Sequence, residues 1–161
     1  MKKIIIAVLV LITAGVFVRG CFTGPEGQIR KQLGELEELV SYEEGEGDFS
    51  ALGKVKSLGG LFTEDVDIRL QGFAGARTVK GRKQVQQAAM AARSQAKSLQ
   101  ASLHDITVQV ADDQLSATAE ATGRARVSGE SSSVVQDFRF TFEKTEEGWL
   151  IAKVATVEAL R

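Results

Sequence analysis

The chain has 161 residues, 43% of them hydrophobic and 25% charged, with a formal net charge of −1. That is enough for one well-packed domain and too little for two. A single cysteine and a single histidine exclude an internal disulfide framework and leave no metal-ligand cluster of useful spacing, and no cofactor is expected.

Lys2 and Lys3 precede an uncharged run from Ile4 to Val18, the pattern of an export or anchor signal. As a helix this run spans about 22 Å, short of a bilayer core of about 30 Å. Extending it to Phe22, with Arg19 snorkelling to the interface, comes close to spanning. Residues 1–22 are therefore read as a signal or anchor, with residues 4–22 as the membrane contact, and residues 23–161 as the domain. The Gly20-Cys21 step is similar to a bacterial lipoprotein signal, although Arg19 stands where a small residue normally sits. Three fates stay open: an uncleaved anchor, lipidation at Cys21, and ordinary cleavage. With the two lysines held inside, each fate places the domain at the cell membrane on its extracytoplasmic side.

Pro25 suits a first helical position, and Ile29, Leu33, Leu36 and Val40 form one apolar stripe behind it. The acidic run Glu43 to Gly47 breaks the pattern. Asp48 is read as the cap of a second helix whose apolar face carries Leu52, Val55, Leu58 and Phe62, with Gly59 and Gly60 at its end. Next, Val66, Ile68 and Leu70 alternate with Asp65, Asp67 and Arg69, the period of a half-buried strand. A third helix is predicted from Gly81 or Arg82 to about Ser98, with a face of small residues at Val85, Ala88, Ala89, Ala92 and Ala96.

From there the chain alternates. Leu103 to Val110 leads through Asp112-Asp113 into 13 residues, Leu115 to Val127, whose odd positions are apolar or small and whose even positions are polar. Strands Val134 to Glu143 and Trp149 to about Glu158 follow, divided by the turn composition of Thr145 to Gly148. Phe138, Phe140 and Phe142 share a face, and their volume complements the alanines of the preceding strand. The alanine face is expected to meet the third helix. No internal repeat is present.

Charge is unevenly spread. Residues 26–67 hold 11 acids and four bases, while residues 68–104 hold seven bases and no acid. Arg82, Lys83, Arg93 and Lys97 fall in a wedge of about 100° on the third helix. With Arg69, Arg77 and Lys80 they form a basic stripe. It is read first as a solvated face attracted to the acidic first two helices, and second as a surface for anionic lipid, an acidic partner or an anionic ligand. Nucleic acid is excluded as a partner, because the exported part carries 17 bases against 21 acids. Asp65 and Asp67 share a strand face and are read as solvated charges before a cation or proton-sharing pair. His104 is read as a partly exposed strand-end residue, with Asp105 on the opposite face.

The order helix, helix, short strand, helix, long antiparallel strands, with Leu61-Phe62-Thr63-Glu64-Asp65-Val66, Gly81-Arg82, Phe140-Thr141-Phe142 and Trp149-Leu150-Ile151 at the expected places, resembles the nuclear transport factor 2-like (NTF2-like, SnoaL-like) superfamily. The resemblance covers about residues 26–158. It implies an α+β fold, a curved antiparallel sheet wrapped around three N-terminal helices as a cone, often open at one end as a pocket and often dimeric through the outer sheet face. Here Glu120, Arg124 and Arg126 would pair across the two-fold axis of a homodimer. In the superfamily's ketosteroid isomerases the proton-abstracting carboxylate falls close to Leu70 of this chain, and the oxyanion-binding tyrosine falls near Val40, two residues from Tyr42. Neither position carries the group that the chemistry needs. The first functional expectation is therefore a membrane-tethered, non-catalytic binding or protein-interaction module of the bacterial cell envelope. The second is a small-molecule carrier or isomerase- or dehydratase-like enzyme whose pocket draws on Leu70, Phe73, His104, Phe138, Phe140, Phe142 and Trp149.

Overall fold

A computed structural model describes residues 24–71 and 75–157. The N-terminal segment with Cys21, and Phe73, lie outside the described residues. Among those described, no helix is long and apolar enough to cross a membrane. The elements in order are α1 (Pro25–Val40), α2 (Asp48–Gly60), β1 (Phe62–Leu70), β2 (Arg77–Lys80), α3 (Arg82–Gln95), β3 (Leu99–Val110), β4 (Ser116–Val127), β5 (Val134–Thr145) and β6 (Gly148–Val157). The strands form one six-stranded sheet in the order β2-β1-β6-β5-β4-β3. Every pair is antiparallel except β1 and β6, which run parallel.

The core lies between the helices and the inner face of this sheet. Ile29 and Leu33 of α1, Val66, Phe142 and Ile151 are its largest fully buried side chains, each worth about 1.5–3 kcal/mol of burial. The complementarity of alanine and phenylalanine is a matter of register. Ala117 stands opposite Phe142, Ala119 opposite Phe140 and Ala121 opposite Phe138. Small side chains on β4 leave room for rings on β5.

The sheet's β3 edge is covered rather than exposed. Arg30 Nη1 donates to Ile106 O at 2.9 Å, Glu37 Oε2 accepts from Leu103 N–H at 3.1 Å, and Ser41 Oγ accepts from Ala101 N–H at 3.0 Å. Tyr42 and Leu99 exchange both backbone hydrogen bonds, at 2.8 and 2.9 Å. Helix α1 and the residues after it thus act as the next strand's substitute, and this fixes α1 across the sheet.

Several expectations need correction. The alanine face of β4 shares a core cluster with Ile29 and Leu33 of α1. Helix α3 lies instead against α2, β1 and β2, and its Ala88 is exposed. Gly47 occupies the N-cap of α2 with Asp48 already helical, while Phe62 belongs to β1. Leu52 is 54% exposed and Leu115 61% exposed, so neither is core. Strand β2 was not expected, because four residues flanked by glycine carry too little periodicity. Asp105 adopts φ 53° at a β-bulge between His104 and Thr107, and the bulge undoes the simple alternation that set Asp105 opposite His104.

Candidate functional site

The cone is open. A cavity of about 320 Å³ lies between the C-terminal half of α1 and the inner face of the sheet. Leu36 and Val40 of α1 form its helical side. Phe62, Ile68 and Leu70 of β1, Leu99 and Leu103 of β3, Val134, Phe138 and Phe140 of β5 and Val154 of β6 form most of the rest. The volume falls at the lower end of the range for small-molecule sites.

Of the residues expected there, Leu70, Phe138 and Phe140 line the cavity. Phe142 is fully buried in the core beneath it. Trp149 is also buried, beside a separate recess that Gln28, Gln32 and Glu147 share, with Lys144 Nζ 5.4 Å from its ring centre. His104 is exposed, 2.9 Å from Ser102 Oγ, on the outer side of the sheet.

The shape of the wall depends on one glycine. An ideal Cβ on Gly123 would stand 2.5 Å from Phe138 Cε2 and 2.9 Å from Cδ2. Real Cβ atoms do not approach so closely, so the Phe138 ring occupies space that only glycine leaves free. The ring continues a row, 6.2 Å from Phe140, which is in turn 6.5 Å from Phe142.

Four polar residues, Glu37, Ser102, Arg124 and Gln136, border the apolar wall. Glu37, on α1 between Leu36 and Val40, uses Oε2 to accept Leu103 N–H. Gln136, opposite Gly123 across β4 and β5, donates from Nε2 to Val157 O at 3.2 Å and to Asp137 O at 3.4 Å. Sequence reasoning missed both. The period-two pattern Val134, Gln136, Phe138, Phe140, Phe142 did mark Gln136 as the polar exception on an apolar strand face.

Most of the basic stripe is engaged within the domain. Arg69 Nη2 lies 2.7 Å from Asp67 Oδ2, and Lys97 Nζ lies 2.9 Å from Glu44 Oε1. Arg82 Nη2 donates to Phe62 O at 2.7 Å. Arg93 is half-buried, bonded to Glu46 at 3.2 Å and to Leu39 O at 2.9 Å, and stacked 4.8 Å over Tyr42. Arg77, Lys80 and Lys83 are the exposed remainder. Burial of Glu46 favours its neutral form, but hydrogen bonds and charge from Lys54 and Arg93 outweigh that and hold its carboxyl below the ordinary value. Burial pushes the Tyr42 phenol up, against the opposing charge of Arg93. Tyr42 OH donates to Ala92 O at 2.9 Å. This cluster ties the 41–47 loop to α2 and α3. The Arg69 hydrogen bond holds the Asp67 carboxyl below its ordinary value, aided by Lys80 and Lys153, and Asp65 is exposed.

The model of the SnoaL-like domain matches residues 52–155. The chain belongs to the SnoaL-like domain family. No curated protein matches it. Among solved structures, it is similar to an NTF2-like protein with a cystatin-like fold from Novosphingobium aromaticivorans, at 20% identity over 89% of this chain and 87% of that one, TM-score 0.62. A domain of unknown function with a cystatin-like fold from Nostoc punctiforme is 18% identical over 86% and 80%, TM-score 0.64. A candidate scytalone dehydratase from Novosphingobium aromaticivorans is 13% identical over 81% and 82%, TM-score 0.58. At these identities the likeness is one of fold. In this SnoaL-like domain Leu70 and Val40 both border the cavity. Tyr42 does not: its hydroxyl is engaged by Ala92.

Proposed function

We propose that this SnoaL-like domain holds a small apolar molecule in the cone cavity without acid–base chemistry, tethered by residues 4–22 at the extracytoplasmic face of the membrane. The observation that carries the reading is the cavity wall, which is apolar at Leu36, Val40, Leu70, Phe138 and Phe140. Proton transfer of the isomerase kind needs a base on the substrate proton and a donor at the developing oxyanion. Glu37 is the carboxylate of this wall and is held by Leu103 N–H, while Gln136 spends its amide hydrogens on two backbone carbonyls. An apolar lining of this size supports retention of a ligand rather than its conversion.

The cavity touches α1 from Leu36 to Val40, about 20 Å along that helix from its first residue, and the proposed tether precedes that first residue in sequence. An envelope protein that delivers or receives the ligand would meet the cone at this far end. The outer sheet face, where Arg124 and Arg126 stand exposed, is the proposed homodimer contact. On the same face Glu120 is paired with Arg139 of the same chain at 2.7 Å, both side chains exposed.

Thermal unfolding of the full chain in one detergent tests the reading, since a ligand that binds only the native state raises the melting temperature. 1-Decanol should raise it in the unsubstituted protein and leave it unchanged in Ala125→Trp, whose indole fills the cavity. An equal rise in both proteins, or none in either, overturns the proposal.

A further inference from the structure

Helices α2 and α3 carry an apolar and cationic surface that the cavity does not use. At about 100° per residue, Phe49, Leu52 and Lys56 of α2 fall within a wedge of about 60°, as do Lys83, Gln87, Met90 and Ser94 of α3. Phe49 is 93% exposed, and Leu52 and Met90 are exposed as well. The two wedges adjoin. Helices α2 and α3 pack together, Gly59 lies against Gln86, and Met90 shares a recess with Asp48 and Ala51. Lys56 and Lys83 are exposed, and neither makes an ion pair or side-chain hydrogen bond among the described residues. Asp48 is the sole acid in either helix. Solvated domains rarely leave an aromatic ring so bare beside other apolar side chains unless the patch meets something.

We infer that this face lies on an anionic phospholipid bilayer, with Phe49 and Leu52 among the headgroups and Lys56 and Lys83 on the lipid phosphates. The inference rests on the proposed tether at residues 4–22. Thr23 and Gly24 alone separate that segment from Pro25, and two residues reach about 7 Å at most. A domain held so closely has some face on the membrane. The exposed side of α1 carries Glu26, Glu35 and Glu38, which an anionic surface repels. The α2 and α3 face combines an aromatic ring, aliphatic side chains and free lysines, the composition of a helix that lies in the membrane interface. Arg77 and Lys80, exposed on β2 beside α3, extend its positive side.

Tryptophan fluorescence of the full chain carrying Phe49→Trp tests this, in phosphatidylcholine vesicles with and without phosphatidylglycerol, their acyl chains brominated near the headgroup. Trp149 is the single tryptophan of the chain and is buried, so quenching beyond that of the unsubstituted protein reports position 49. The expected result is a blue-shifted, bromine-quenched emission in the phosphatidylglycerol vesicles. The docked-to-free ratio should fall about fivefold for each of Lys56→Gln and Lys83→Gln, the contribution of one base at a membrane surface. All of these positions are exposed, so the variants fold. Vesicle flotation in high salt, which screens the lysines, reports the tether separately. Flotation without quenching at position 49 overturns the docking face, leaves the tether standing and assigns the patch to a protein partner. Quenching that is equal with and without phosphatidylglycerol overturns the placing of Lys56 and Lys83 on lipid phosphates. Quenching at low salt with release from the vesicles at high salt supports the face and overturns the tether. Neither flotation nor quenching overturns both.

Discussion

Gly123→Ala separates a cavity wall from an ordinary core. The added methyl would sit 2.5 Å from Phe138 Cε2, where ordinary contact begins at 3.4 Å, so the ring edge must retreat by about 1 Å. In a close-packed core such overpacking costs about 1–3 kcal/mol. Phe138 borders the cavity, and its ring can retreat there without displacing other side chains. Replacing glycine in a strand returns about 0.5–1 kcal/mol of backbone entropy. The two contributions nearly cancel, and the expected change in unfolding free energy is within about 1 kcal/mol of zero. The volume is lost from the site instead. Chemical denaturation and 1-decanol titration of the same full-chain variant should show a nearly unchanged midpoint and at least about tenfold weaker binding. A loss of more than about 2 kcal/mol with binding intact would refute the argument, since it would mean the ring has nowhere to go.

Phe142→Ala removes a fully buried ring and should cost about 3–5 kcal/mol by denaturation, in contrast to Gly123→Ala further along the same ladder. Glu46 has a folded-state carboxyl held below its ordinary value of 4.5, so its stabilisation is complete above that value and is lost as pH falls through the depressed one. Glu46→Gln should therefore flatten the acid side of the stability profile below about pH 4.5 and leave its slope near neutral pH unchanged, as followed by urea unfolding across pH. Light scattering of the full chain at micromolar concentration should give twice the protomer mass above detergent and fall to one protomer in Arg124→Glu; a dimer indifferent to that substitution and to salt rules out the outer sheet face.

Alternation made the long strands legible. Ala117 to Val127 and Phe138 to Phe142 each declare an inner face, and their volumes even anticipated that β4 and β5 are neighbours. The helix that covers the alanines was not legible, because small residues on α3 and on β4 invite a pairing that chain connectivity does not enforce. Leu52 looked like core for the same reason: a helical period shows which residues share a face, and tertiary placement decides whether that face is covered. Phe138 and Leu70 were found as cavity residues from their strand faces. Glu37 and Gln136 were not, since a single polar residue beside an apolar stripe reads as solvated until the neighbouring strand shows what it bonds. His104 reads first as a partly exposed strand-end residue, and it is exposed; the bulge at Asp105 was invisible without the ladder.

The central claim is that the cone cavity, and no surface patch, receives an apolar ligand. Intermolecular nuclear Overhauser effects between bound 1-decanol and methyl-labelled full chain test it most directly. Contacts are expected to Leu36, Leu70 and Val134, whose methyl groups ring the cavity. Contacts confined to exposed apolar residues such as Leu52 and Leu115, with the cavity methyls silent, would contradict it.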